Sequence, residues 1–225
     1  MDIWSKRNEA LTVLDNDIKK EKEVLEEGFA VLDQCIHCFH MHMNDADNTI
    51  ATFAAYCCAT LVKIRRLALG SYSLCLDGLA FEAGALMRSL IEGLQILIFF
   101  QQQPESIALA EAENMPQAGD IAKAINGELH SEIRDILWEQ RKHYNQFSSH
   151  FSLKQSALQP IETTFDLNAL KRNMRSLFST INLLAYISAM CLSIIGLKDI
   201  FLNESIETFR EKGSSIFGAY EDFEN

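Results

Sequence analysis

Proline and glycine are scarce in this chain, with three prolines and ten glycines among 225 residues. So few backbone breakers leave long uninterrupted stretches, and the strand-forming residues do not fall into alternating apolar and polar runs. Both absences count against sheets, hairpins and a loop-rich architecture. A Gly-rich phosphate loop, a nucleophile elbow around a serine and the paired-histidine motif of helical metalloproteases are missing too. Positive charge is in short supply: 20 Lys and Arg stand against 31 Asp and Glu, a formal net charge of −11. That balance works against broad binding to nucleic-acid phosphates, which needs clustered cations. Two short basic groups, Lys63, Arg65 and Arg66, and Lys171, Arg172 and Arg175, read as solvated helix faces.

Nothing at the start of the chain reads as a secretory signal. The six cysteines, Cys35, Cys38, Cys57, Cys58, Cys75 and Cys191, lie inside apolar stretches of helical period. Unpaired thiols in a reducing cytoplasm are the expectation. Ser176 to Leu197 bears on it, because this segment has no charge and is close to the ~20 residues of a membrane span. Arg175, Ser179, Asn182, Tyr186, Ala189, Ser193 and Gly196 fall on one helical stripe there. Small and polar side chains so arranged suit close contact with another helix. The segment is expected to be the centre of a bundle, with no membrane involved; a span is the alternative. Ala80 to Phe100 is nearly as apolar but carries Glu82, Arg88 and Glu92, which a span tolerates poorly.

What the chain has in abundance is apolar periodicity near 3.6. Trp4, Leu11, Ile18, Leu25, Leu32 and Phe39 recur every seven residues, joined later by Phe29, Ile36 and Met43. The opening segment is thus a long helix, or two collinear ones, docked by one face, with Gly28 a candidate bend. Asn44 to Asn48 is a polar turn whose Asp47 or Asn48 can cap a helix reaching about Leu69, with Gly70 its end or kink. A further helix covers about Leu74 to Gln102. Pro104, Pro116 and the Asn126-Gly127 stop delimit two short helices over one end or side of the bundle. Periodicity returns from Glu128 to about Ser149. After a loop containing Pro160, Asp166 caps the apolar helix, and a short helix runs from about Ile200 to Glu211. The fold class is all-α: an up-and-down multi-helix bundle in one domain, residues 1–212. The tail, residues 213–225, is acidic and aromatic and is expected to be flexible.

Three groups could carry chemistry. Cys35 to His42 invites a zinc reading, but helical geometry divides it. Cys35, Cys38 and His42 share the apolar face, while Asp33, His37 and His40 share the polar one. The polar trio is the more complete metal candidate; core cysteines and solvated histidines are the plainer reading, and no cofactor is expected. The second group is a polar seam, Asp77, Arg88, Glu92 and Gln95, on one stripe of the Leu74 to Gln102 helix. Arg88 and Glu92 stand four apart and can pair. The seam reads as an internal clasp facing Asn182 and Tyr186, with a polar ligand pocket as the alternative. The third is the run from Arg141 to His150, which includes Tyr144 and Ser148.

Ala83-Gly84-Ala85-Leu86-Met87-Arg88-Ser89-Leu90-Ile91-Glu92, followed by Tyr144 and by Phe147-Ser148-Ser149-His150-Phe151-Ser152, resembles a bacterial all-α family of uncharacterised function. In that family a helix with an Arg-Ser-Leu-x-Glu motif precedes a Tyr, then a Leu-Ser element ending in a His. The resemblance covers about Leu61 to Leu197 and implies Arg88, Glu92, Tyr144, Ser148 and His150 as shared polar positions. The stretch from Tyr144 to His150 is shorter than the family's spacing. The family is similar in turn to the HEPN helical domains, some of which are metal-independent ribonucleases using an Arg and a His at a dimer interface. That kinship implies a homodimer and a part in stress or phage defence. HEPN enzymes set the pair a few residues apart, whereas Arg141 and His150 project to opposite sides of one helix. The expectation is therefore a binding or regulatory module rather than an enzyme. The alternatives are a homodimeric HEPN-like ribonuclease using Arg88, Tyr144, Ser148 and His150, and a metal-binding bundle.

Overall fold

The computed structural model describes residues 16–126, 131–148, 167–197 and 200–218, together with Ser5, Asn8, Leu11 and Thr12. Among the described residues there are eight α-helices, one 3₁₀ turn and no strand. The helices are α1 (Lys19–His42), α2 (Asn48–Leu76), α3 (Ala80–Gln102), α4 (Ile107–Glu111), α5 (Ala118–Asn126), α6 (Ser131–Ser148), α7 (Leu167–Ile194) and α8 (Ile200–Phe217). The 3₁₀ turn, Pro104–Ser106, opens on its proline, and α4 and α5 follow it as the two expected short helices.

Local chemistry sets the ends. Asp47 caps α2, its carboxylate accepting from the Thr49 amide at 2.8 Å. Contrary to the expectation at Gly70, α2 runs through that residue to Leu76. Gly70 is tolerated because Leu86 of α3 packs against it. The stop is Asp77-Gly78-Leu79. Gly78 takes a left-handed φ of 77°, its amide donates to the Cys75 carbonyl, and the Leu79 amide donates to the Leu74 carbonyl. This is the two-bond cap that satisfies the last carbonyls of a helix, and glycine enters its left-handed position at least cost. Asp77 therefore ends α2 instead of sharing a helix with Arg88.

Side-chain contacts fix the helix directions. Gly28 lies against Ile181 and Cys35 bonds Ser188, so α1 and α7 run parallel. Asn173 reaches the Ala80 carbonyl and Cys191 the Leu97 carbonyl, so α3 is parallel to them. Three bonds of α2 to α1, Cys58 to Ile36, Arg65 to Asp33 and Tyr72 to Glu26, run in reverse order. Tyr144 to Asn173 and Thr180 to Gln140 make α6 antiparallel to α7. Gly213 on Phe178, with Phe209 beside Gly28, does the same for α8. The six long helices thus alternate up and down.

Helix α7 is the centre, packed against α1, α2, α3 and α8, and every residue from Ser176 to Ala185 is buried. Glu82–Gln102 and Leu170–Ile194 are long and apolar enough to cross a membrane; 61% and 72% of their most apolar windows are buried inside the bundle. Along the opening heptad series Ile18, Leu25, Leu32 and Phe39 are fully buried, whereas Leu11 is exposed. Trp4 lies outside the described residues.

Two glycines are notches, not bends. Gly28 sits inside an unbroken α1, where a Cβ would lie 2.7 Å from the Phe209 ring, and at Gly213 a Cβ would lie 1.8 Å from the Phe178 ring. Phe178 also stacks on Phe217, centroids 5.1 Å apart, and meets Phe209 edge-on. These contacts carry the last helix past its expected end at Glu211: α8 continues to Phe217, with Gly213 and Phe217 buried. Residues 219–225 of the expected flexible tail lie outside the described residues.

Candidate functional site

The metal candidates do not assemble. Asp33 holds Arg65 through two contacts, Nη2 to Oδ2 at 2.7 Å and Nε to Oδ1 at 2.5 Å, and His37 and His40 are exposed beside it. Among the described residues no group of three or more His, Cys, Asp or Glu gathers to hold a metal. The cysteines form no disulfide and are poor ligands as they stand. Burial pushes the Cys35 and Cys75 thiols up to about 12. A hydrogen bond with Cys191, then burial, raises Cys57. A thiol must lose its proton to bind metal or attack an electrophile, and these three hold theirs.

The expected seam separates into two parts. Arg88 Nε meets Glu92 Oε1 at 3.1 Å, but the side chains are 39% and 26% exposed. Such a pair sits at a wet edge, contributes less than about 1 kcal/mol, and is not the buried clasp anticipated. Gln95 is buried on the same helix, with its Oε1 unpartnered among the described residues. Tyr186, expected to face the seam, is half exposed, while Asn182 is buried.

The buried clasp is made by residues 144, 173 and 80. The Tyr144 hydroxyl donates to Asn173 Oδ1 at 3.1 Å, and Asn173 Nδ2 donates to the Ala80 carbonyl at 2.6 Å. One asparagine thereby ties α6 to the first turn of α3 through α7. Tyr144 is fully buried and Asn173 nearly so. Burial holds the Tyr144 phenol above its ordinary range, so it serves as a neutral donor. His143 next to it, edge-on to the Tyr144 ring at 4.9 Å, is lowered by burial and then by Arg172. One turn before the clasp, Gln140 faces Thr180 at 3.5 Å, and Thr180 donates to the Ser176 carbonyl at 2.8 Å. Ser148 is the last residue of α6, its side chain outside the description, and His150 lies outside the described residues.

The motif resemblance pointed to Tyr144 and carried no sign of Asn173. The available signal was its position between Leu170, Met174 and Leu177, a polar residue on the apolar face of a helix. What the arrangement does chemically is lock three helices through a neutral phenol and one amide.

At the opposite end, where α1, α3 and α7 finish and α8 begins, large apolar side chains face outward. Phe201 is 81% exposed, Ile200 68%, Met41 63% and Ile194 42%. The residue offset that pairs Gly28 with Ile181 and Cys35 with Ser188 sets Met41 level with Ile194. Compared with known proteins, the chain matches no protein family, no curated protein and no solved structure.

Proposed function

We propose that this chain is a binding or regulatory module that acts by association rather than by chemistry. Its working surface is the apolar end at which Phe201, Ile200 and Met41 are exposed. One observation carries the reading: Tyr144 is committed inside the bundle and Asp33 and Arg88 are each held in an ion pair, while large apolar side chains at this end are left outside. Tyr144 is sealed behind Asn173, Asp33 is held by Arg65, and Phe201 is the most exposed large hydrophobic residue described. A clustered exposed apolar surface is the usual mark of a contact site. Six cysteines without a disulfide suit work in the cytoplasm, and the resemblance of the Arg88 motif supports a part in stress or phage defence.

Two measurements test the reading. Incubated with unstructured RNA in the presence of chelator, the purified chain should cleave nothing; cleavage that Arg88→Ala removes would overturn the proposal. Phe201→Ser should leave unfolding free energy within about 0.5 kcal/mol of the parent, as for an exposed residue with no structural duty. A loss above ~2 kcal/mol would place Phe201 in the core instead.

A further inference from the structure

We infer that Cys57 of α2 and Cys191 of α7 form a redox latch: a low-molecular-weight disulfide in excess converts them into a disulfide that joins the two helices across the core. The inference stands apart from the surface reading above. Contacts that involve neither residue set their levels. Gly28 against Ile181 fixes the offset between the parallel helices α1 and α7, and that offset brings Cys191 level with Cys38. Cys58 Sγ donates to the Ile36 carbonyl at 3.8 Å, and α2 runs antiparallel to α1, so Cys57 falls at the level of His37. Cys57 and Cys191 therefore stand within one helical turn of each other along the bundle. Both are fully buried, α2 packs on α7, and the two thiols are hydrogen-bonded to each other.

The other cysteines are placed differently. Cys35 bonds Ser188, Cys58 the Ile36 carbonyl and Cys75 Asn173. Cys35 and Cys38 stand three apart on one helix, where a link would join nothing that α1 does not already hold. Cys191 also donates to the Leu97 carbonyl at 3.9 Å, so the pair is steadied from α3. The closed bundle keeps both thiols from solvent, and exchange waits for an opening. Cys191 lies in the last turn of α7, which ends at Ile194, and helix ends open at least cost. On opening, one cysteine thiolate attacks a sulfur of the small disulfide, expelling one thiolate and leaving a mixed disulfide. The second cysteine then attacks the protein-borne sulfur and expels the other thiolate. The two cysteines give up two protons and two electrons, and the oxidant leaves as two thiols. The link closes a loop from residue 57 to residue 191, and a loop that long strongly restrains the unfolded chain. The central helix is then tied covalently to α2.

Oxidation of the folded full chain by oxidised glutathione tests this, with the remaining thiols then alkylated in denaturant and the linkages mapped by mass spectrometry. The product should hold Cys57 linked to Cys191, two hydrogens lighter, with Cys35, Cys58 and Cys75 alkylated. Its urea midpoint should rise by at least about 1 M over the reduced chain, and a reductant should reverse the rise. Cys57→Ala and, independently, Cys191→Ala should lose both the link and the rise; Cys58→Ala, a change at the adjacent position, should lose neither. If an alanine variant fails to fold, the linkage map and midpoint of the parent decide alone. Mixed disulfides with glutathione and no internal link overturn the latch, as does a link made chiefly by another pair. A Cys57–Cys191 link that leaves the midpoint unchanged or lowers it also overturns it, because the helices would then be strained rather than fastened.

Discussion

Gly213 and Gly119 differ in what one methyl group would meet. At Gly213 the added carbon falls within 2.6 Å of three Phe178 ring atoms, whereas at Gly119 nothing lies within 4 Å. Gly213→Ala should therefore destabilise the fold by about 2 kcal/mol through forced repacking, with Gly119→Ala neutral or slightly stabilising; urea unfolding of the pair checks this. Thiols give a second residue-scale expectation. Five cysteines are buried and Cys38 is half-buried, so at pH 8 a thiol reagent should titrate one cysteine quickly in the native protein and all six after denaturation. More than two fast thiols would contradict the burial. The same burial sets a pH dependence. Cys35 and Cys75 rise from 9.0 to about 12 in the folded chain. The unfolded chain therefore releases these protons first, and stability falls with pH wherever the folded state binds more of them. Their contribution is whole below pH 9 and lost between about 9 and 12, and the raised phenols of Tyr72 and Tyr144 act in the same direction. Unfolding at pH 10.5 should need less urea than at pH 8.

At the scale of elements, the helices were legible because an amphipathic period is a local pattern. The seven-residue series from Ile18 to Phe39 and the cap at Asp47 needed no tertiary information. The break between α2 and α3 was less legible because Gly70 and Gly78 look alike in one dimension. Gly70 accommodates Leu86, a long-range fact, while Gly78 takes a left-handed turn after an aspartate. The end of α8 was misplaced for a similar reason, since Gly213 reads as a stop until Phe178 is set against it. Gly78→Ala should cost about 1 kcal/mol, and Asp47→Ala a similar amount. Helicity at low denaturant should be retained in both, because each loses a cap and not a core.

Across the described residues, six long helices alternate in direction, four of them packed against α7, and the two ends of α7 differ. One end is closed by Tyr144, Asn173 and the Ala80 carbonyl; the other carries Phe201, Ile200, Met41 and Ile194 to the surface. The resemblance in the sequence grouped Arg88, Glu92 and Tyr144 as shared polar positions. It could not show that Tyr144 answers to Asn173, 29 residues away, while Arg88 turns to the edge. Such pairings depend on which helix faces which, and periodicity is silent about that. The central claim is that the polar residues facing the Arg88 helix are architecture. A double-mutant cycle on Tyr144→Phe and Asn173→Ala, read as unfolding free energy, tests it most directly. Each single change should cost about 1–3 kcal/mol by stranding a buried polar partner, and the pair should cost at least 0.5 kcal/mol less than their sum. Unchanged or increased stability in Tyr144→Phe would contradict the account and mark the position as one held for function at the expense of the fold.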